Sequence, residues 1–309
     1  MNPVAAFFKL IRWPNLFFIV LTQMLFRFFV LPFVYGNPFA SFGHVKLSSS
    51  LFYWLVFASV CIAAAGYIIN DYFDVNIDLV NKPSQLIIDR YIKRRWAIVW
   101  HILLSAVGLL ISCYIGFRLG NIYIPFFNLI AIGALWFYST TFKKKLLIGN
   151  IIVSLLTAWV ILVLAFAEHH FTIGSPDNYW KRLLKVSFIY GGFAFIISLV
   201  REVIKDMEDI GGDQRYGCKT MPIIWGIPVS KVFTAVWIVM LIGCIAAIEV
   251  YIIHSGWLMA AVYGIILIVV PLLWVLRKLY KAQVQQDFHR LSNAVKLIML
   301  AGILSMVFF

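Results

Sequence analysis

Negative charge is scarce in this chain: 13 Asp and Glu among 309 residues, against 26 Lys and Arg. All charged residues together make up 13% of the sequence, too few to clothe a soluble domain of this size, which excludes a water-soluble fold. Only four cysteines occur (Cys61, Cys113, Cys218, Cys244), without CxxC or other metal spacing, so neither a disulfide framework nor a thiolate metal site is indicated. The six histidines (His44, His101, His169, His170, His254, His289) show no zinc spacing and receive no role. Low-complexity runs and Pro/Gly-rich linkers are missing as well, so residues 1–309 read as a single domain. What the chain does have is hydrocarbon: 63% hydrophobic residues and a mean hydropathy of +0.93. That composition predicts an all-α polytopic membrane protein.

Apolar stretches long enough to cross a bilayer fall at about 13–35, 49–70, 96–116, 121–141, 146–167, 184–204, 229–253, 256–276 and 291–309. The expectation is therefore nine transmembrane helices around a central cavity, the first retained rather than cleaved as a signal peptide. The connecting segments sort by charge. Twenty Lys and Arg lie on the side of the N-terminus and five on the other, with Arg27 inside the first span. This bias predicts a cytoplasmic N-terminus and a C-terminus on the opposite side. The formal net charge of +13 then reflects topology and attraction to anionic head groups or substrates, not nucleic acid.

Eight of the 13 acids crowd into two short windows. One holds Asp71, Asp74 and Asp78 within NDYFDVNID; the other holds Glu202, Asp206, Glu208, Asp209 and Asp213 around KDMEDIGGD. Both triplets have the spacing D-x2-D-x3-D, whose steps of three and four put three carboxylates on one face of a helix end. Carboxylates beside a membrane are costly unless a cation shares the site. Two such faces meeting in space would hold Mg2+ through oxygen ligands and so receive a diphosphate, stabilising it as a leaving group. Asn70 adds a neutral oxygen, and Lys82, Lys143, Arg201, Lys205, Arg215 and Lys219 are candidate cations around the anion. Among these, Arg201 and Lys205 share a helix face with Asp209. Aromatic residues make up 17% of the chain, and a few could line an apolar tunnel and steady a carbocation through their ring faces. Tyr67, Tyr72, Phe73 and Tyr138 are nearest by spacing.

The run from Asn70 to Asp78 resembles the NDxxDxxxD signature of the UbiA-type intramembrane prenyltransferases, and Asp206 to Asp213 resembles their second aspartate motif. R12-W-P-N15 in the first helix is similar to that family's Arg/Asn segment, and Tyr138 to Lys143 to its Tyr/Lys segment. The resemblance implies transfer of a prenyl chain from a prenyl diphosphate to a hydrophobic or aromatic acceptor within the bilayer, with two Mg2+ ions. By position it assigns Asp71, Asp74, Asp206 and Asp209 to the metal and the catalytic centre, and Asn70 to the metal and the substrate. Asn15, Lys82, Tyr138, Lys143, Arg201 and Lys205 fall to substrate binding. Asp78 and Asp213 join them, orienting basic residues or helping to remove the acceptor proton. The chain departs from the family after the first motif, where a segment like NRPxRPLPSG is replaced by N81-K-P-S-Q-L-I-I-D-R. That change bears on substrate contacts in the loop, not on the metal site.

For the acceptor, the I-G-G-D-Q-R-Y-G run looks like members that alkylate a prenylated glycerol phosphate; an aromatic acceptor (4-hydroxybenzoate, dihydroxynaphthoate or homogentisate type) is the alternative. A cation transporter or channel is the reading from another class. Against it stand acids gathered at one membrane face and no Gly/Pro-broken helix pair. A CDP-alcohol phosphotransferase would need Asp-Gly and Ala-Arg pairs that NDYFDVNIDLVNKP lacks.

Overall fold

Backbone N–H and C=O groups inside hydrocarbon must pair within the chain, and the apolar runs do so as helices. The structure, a computed structural model, describes residues 2–36, 46–81, 83, 86–169 and 178–309. Its elements are α1 (Pro3–Leu10), α2 (Trp13–Val34), α3 (Ser49–Asn81), α4 (Arg94–Leu119), α5 (Tyr123–Thr140) and α6 (Ile148–Ala167). Then follow α7 (Asn178–Glu208), α8 (Ile210–Arg215), α9 (Met221–Ile224), α10 (Gly226–His254), α11 (Leu258–Lys281) and α12 (Gln285–Phe308). Among the described residues nine helices are long and apolar enough to cross a membrane: α2 to α7 and α10 to α12. The predicted all-α architecture is the one observed, and the protein is an integral membrane protein. Lys82, His44 and His170 lie outside the described residues.

Several helices run past the apolar cores that predicted them. The sequence places the end of the second span near residue 70, yet α3 continues to Asn81. Its last turns are amphipathic: Val75 and Ile77 are buried, while Asp71, Asp74 and Asp78 are half-buried. The buried side has partners to cover. Ala6, Leu10 and Ile11, near the N-terminus, pack in one apolar cluster with Ile68, Val75, Ile87, Ile88 and Ala97. Removing such side chains from water contributes roughly 1.5–3 kcal/mol each, enough to extend the helix beyond the bilayer.

The chain forms two compact units, residues 1–142 with 159–189, and residues 143–158 with 190–309. In the first unit α3 and α4 pack closely at Gly108, where an added Cβ would stand 3.2 Å from the Ala58 carbonyl oxygen and 2.7 Å from Ile62. α4 stops at Gly120, whose left-handed backbone (φ 59°) closes the helix through N–H bonds to Gly116 and Phe117. In the second unit α7, α10, α11 and α12 share a core built on Ile204, Met207, Ile238, Leu272, Phe288 and Val295.

Two spans contain a widened turn. Leu31 N–H bonds back to Phe26 and Val270 N–H to Ile265, each one residue before a proline, Pro32 or Pro271. A proline inside a helix lacks an N–H and crowds the carbonyl four residues earlier, and the wider turn relieves that clash. The sequence expectation of no Pro-broken pair is met in a qualified form, because both helices are widened but continuous.

A buried ion pair in the first unit escaped the sequence reading. Glu168, 1% exposed, lies 3.6 Å from the Arg27 guanidinium, which is 3% exposed and stacks on the Phe52 ring. Glu168 also accepts N–H bonds from Lys46 (2.9 Å) and Leu47 (3.2 Å) and a hydroxyl bond from Tyr35 (3.4 Å). Burial pushes the Glu168 carboxyl above its ordinary pKa, and those donors with Arg27 pull the other way. Glu168→Ala leaves a buried guanidinium uncompensated and should destabilise the protein by about 3–5 kcal/mol. Thermal unfolding in detergent reads this, and Arg27→Met in the same background should recover part of the loss.

Candidate metal and diphosphate site

The first acidic motif sits inside the last turns of α3, one carboxylate every turn, as the spacing requires. Asn70, Asp71, Asp74 and Asp78 are all half-buried, so their charge is partly shielded from water but still reachable. Asp71 has a cation beside it: its Oδ1 accepts a bond from Arg12 Nη2 at 2.5 Å, and the Arg12 guanidinium lies 5.4 Å from the centre of the Tyr67 ring. Tyr67 therefore supports a cation as well as packing in the core. The Asp71 charge raises the Arg12 pKa further above its ordinary value, so the guanidinium stays charged at any working pH.

Arg12 reaches Asp71 through an unusual backbone. It occupies the left-handed region (φ 51°, ψ 53°) at the corner between α1 and α2, so of R12-W-P-N15 only Arg12 stands outside the first spanning helix, which takes in Trp13 to Asn15. Pro14 follows in the first turn of α2, where the missing N–H costs nothing. A non-glycine residue held in this region costs of order 1–3 kcal/mol, a strain concentrated at functional sites. Asn15 is half-buried at the start of α2, and Tyr138 is half-buried in the last turn of α5.

The second motif departs from its twin. Asp206 belongs to α7, which ends at Glu208; the chain turns at Asp209 (φ −96°, ψ 8°) and resumes as α8, which carries Asp213. Identical spacing has thus produced one straight face and one bent one. The glycine pair Gly211–Gly212 after the break lowers helix stability there. Asp213 N–H bonds back to Asp209 (3.2 Å) and Cys218 N–H to Asp213 (2.9 Å), so the segment is a compact turn. Asp206 Oδ2 accepts a bond from Asn150 Nδ2 of α6 at 2.8 Å. Arg201 and Lys205 both reach Glu202 Oε1, at 3.2 and 3.6 Å. They form a charged cluster on the last turns of α7 with Glu202 at its centre. Lys143 is half-buried in the short turn Phe142–Lys144. Arg215 and Lys219 are exposed.

Asn150 and the Arg12–Asp71 pairing are the contributors that residue spacing did not select. Asn150 was legible only as a lone amide within an apolar run. Arg12 lies 59 residues before Asp71, and no local spacing links the two.

The donor set suits a hard divalent cation: carboxylate and amide oxygens, with no thiolate or imidazole among them. Asn70 Oδ1 is buried without a hydrogen-bond partner, an oxygen with coordination capacity to spare beside Asp71. Among the described residues no three His, Cys, Asp or Glu side chains form a metal cage by themselves. Mg2+ keeps waters and takes phosphate oxygens alongside one or two carboxylates.

Known proteins resemble this chain in sequence and in fold. The sequence profile described as the UbiA prenyltransferase family matches residues 29–300. The digeranylgeranylglyceryl phosphate synthase of Methanothermobacter thermautotrophicus is 34% identical over 187 residues, 60% of this chain and 59% of that protein, so the match spans about three fifths of the relative's own length. The digeranylgeranylglyceryl phosphate synthase of Methanosphaera stadtmanae is 29% identical over 82% of this chain and 86% of that protein. A solved structure of a UbiA homolog from Archaeoglobus fulgidus bound to DMAPP and Mg2+ superposes with a TM-score of 0.57. It is 14% identical, over 97% of this chain and 98% of that one, and the likeness shows a shared fold.

Loss of the amide that orients Asp206 should matter even though Asn150 carries no charge. Asn150→Ala is expected to weaken binding of Mg2+ with inorganic pyrophosphate by about tenfold, read by calorimetry on the detergent-solubilised protein. Asn150→Asp, which sets two carboxylates against each other, should be worse than Asn150→Ala.

Proposed function

Because the chain belongs to the UbiA prenyltransferase family, we propose that it transfers a polyprenyl group from a prenyl diphosphate to a prenylated glycerol phosphate-like lipid acceptor. The observation that carries this reading is the pair of oxygen-rich aspartate motifs, one of them beside an amide oxygen left without a partner. The names of the two relatives support the lipid acceptor, and the Archaeoglobus fulgidus homolog supports an allylic diphosphate with Mg2+.

Mg2+, two ions in this reading, would neutralise the diphosphate and improve it as a leaving group. Asn70, Asp71 and Asp74 would hold it from the first motif, Asp206 and Asp209 from the second. Lys82, Lys143, Arg201 and Lys205 would bind the diphosphate oxygens, with Asn15 and Tyr138 as further substrate contacts. Asp78 and Asp213 orient the cations or take the acceptor proton. In the reaction the allylic C–O bond breaks and its electron pair leaves with the diphosphate. A lone pair of the acceptor hydroxyl forms the new C–O bond, and the hydroxyl proton passes to a base. Tyr67, one turn before Asp71 on the same face of α3, is the ring suited by position to shielding the carbocation from water.

The reading makes residues 1–309 one catalytic domain. It sets the N-terminus and the aspartate motifs on the cytoplasmic side and the C-terminus on the other, as the distribution of Lys and Arg supports.

The test is prenyl transfer by the purified protein from labelled geranylgeranyl diphosphate to a geranylgeranylglyceryl phosphate or an aromatic acceptor, with Mg2+ or with chelator. Transfer to the lipid acceptor, abolished by chelator, is expected. Asp71→Ala and Asp206→Ala should each lower turnover by at least about 1,000-fold with the fold retained. Wild-type activity in either variant, or cation transport in liposomes without any transfer, would overturn the reading.

A further inference from the structure

Glu208 stands between two aspartates of the second motif, yet it is committed elsewhere. It is the last residue of α7, is 6% exposed, and its Oε1 lies 2.8 Å from His289 Nδ1 on the first turns of α12. The other ring nitrogen, Nε2, lies 3.1 Å from Asn293 Nδ2. An amide nitrogen can only donate, so Nε2 accepts, and the imidazole proton is on Nδ1, pointed at the carboxylate. The ring is therefore held at both ends. A carboxylate at a helix C-terminus opposes the helix dipole, so Glu208 needs such a donor to be stable there.

The far end of the contact is itself fixed. Asp287 Oδ2 accepts the N–H groups of Gln283 (3.0 Å) and Val284 (3.3 Å), closing the first turn of α12. Lys231 of α10 donates to the Ala282 carbonyl and lies 5.9 Å from the centre of the Phe288 ring. Met207 and Phe288, the chain neighbours of Glu208 and His289, are both 1% exposed in one apolar cluster. The polar link thus sits directly on a packed base.

The bend at Asp209 explains why a link is needed here. The last carbonyls of a helix have no intrahelical partner and the end frays. Fraying at Glu208 would change the separation of Asp206, on the helix, from Asp209, beyond it. Ligand constellations tolerate only about 0.5 Å of such error. We propose that the Glu208–His289 pair, with Asn293 behind it, is a positioning brace that holds the end of α7 so that Asp206 and Asp209 keep one spacing. Neither Glu208 nor His289 is a ligand in this scheme. The inference rests on the proposed metal role of the second motif.

The test compares His289→Asn, whose amide nitrogen occupies the place of Nδ1, with His289→Gln, whose amide lies at the place of Nε2, and with His289→Ala. Two curves are read on the full-length protein: Mn2+ binding by electron paramagnetic resonance with inorganic pyrophosphate present, and the Mg2+ dependence of prenyl transfer. Half-saturating metal should rise about tenfold in His289→Ala and His289→Gln and stay close to wild type in His289→Asn. Turnover at saturating metal should change little. Thermal unfolding midpoints identify any variant that has merely lost its fold, and Glu208→Gln then serves as the second probe, with a smaller rise in the same direction. Unchanged metal curves in His289→Ala and His289→Gln, or an equal loss in His289→Asn, would falsify the brace. If the wild-type protein binds Mn2+ but transfers no prenyl group, the proposed reaction fails while the binding curves still decide the brace.

Discussion

A carboxylate near hydrocarbon must have a partner, and the arrangement of this protein follows from how each acid finds one. Glu168 is met by Arg27 and two backbone amides, Asp71 by Arg12, and Asp206 by Asn150. Glu202 gathers Arg201 and Lys205, and Glu208 takes His289. Glu249 in α10 is the contrast, pressed against Gly264 with its Oε2 buried and without a hydrogen bond. Glu202 pairs within its own helix, but Glu168, Asp71, Asp206 and Glu208 draw partners from segments distant in sequence, and these contacts tie elements together where apolar packing alone is permissive.

The partners are not equal in kind, and the difference separates support from chemistry. Glu168 is almost fully enclosed and held by two backbone amides as well as by Tyr35 and Arg27, which makes it a structural anchor. The aspartates of the two motifs are half-buried, and the partners of Asp71 and Asp206 are side chains, which can exchange. A cation arriving with a diphosphate would compete with Arg12 for Asp71 in a partly shielded setting, where electrostatic contacts are stronger than in water. The strained backbone of Arg12 fits this picture, since packing of α1 against the end of α3 holds it.

Composition and hydrophobic run length made the nine spans and their order legible, because a bilayer leaves a chain few ways to satisfy its backbone. The first motif was legible too, since its spacing is helical and its helix is straight. The ends of helices were not: α3 and α7 continue beyond the apolar runs, on amphipathic turns whose partners lie elsewhere in the chain. The bend at Asp209 was hidden because two identical spacings invited one interpretation, although Gly211 and Gly212 distinguished them. Arg27, Asn150 and His289 were unreadable as a matter of principle. Each is a single polar residue whose meaning depends on a neighbour distant in sequence, and no local pattern encodes that.

The kink after Glu208 has an evolutionary corollary. Two segments with the same acidic rhythm suggest duplicated, interchangeable halves. A rod and an elbow are not interchangeable, however similar their letters. A chimera carrying the NDYFDVNID segment in place of KDMEDIGGD would lose its glycine pair and continue as a rod, swinging its third acid away from the direction it now faces. Each geometry belongs to its own place in the chain, and the two segments cannot stand in for one another.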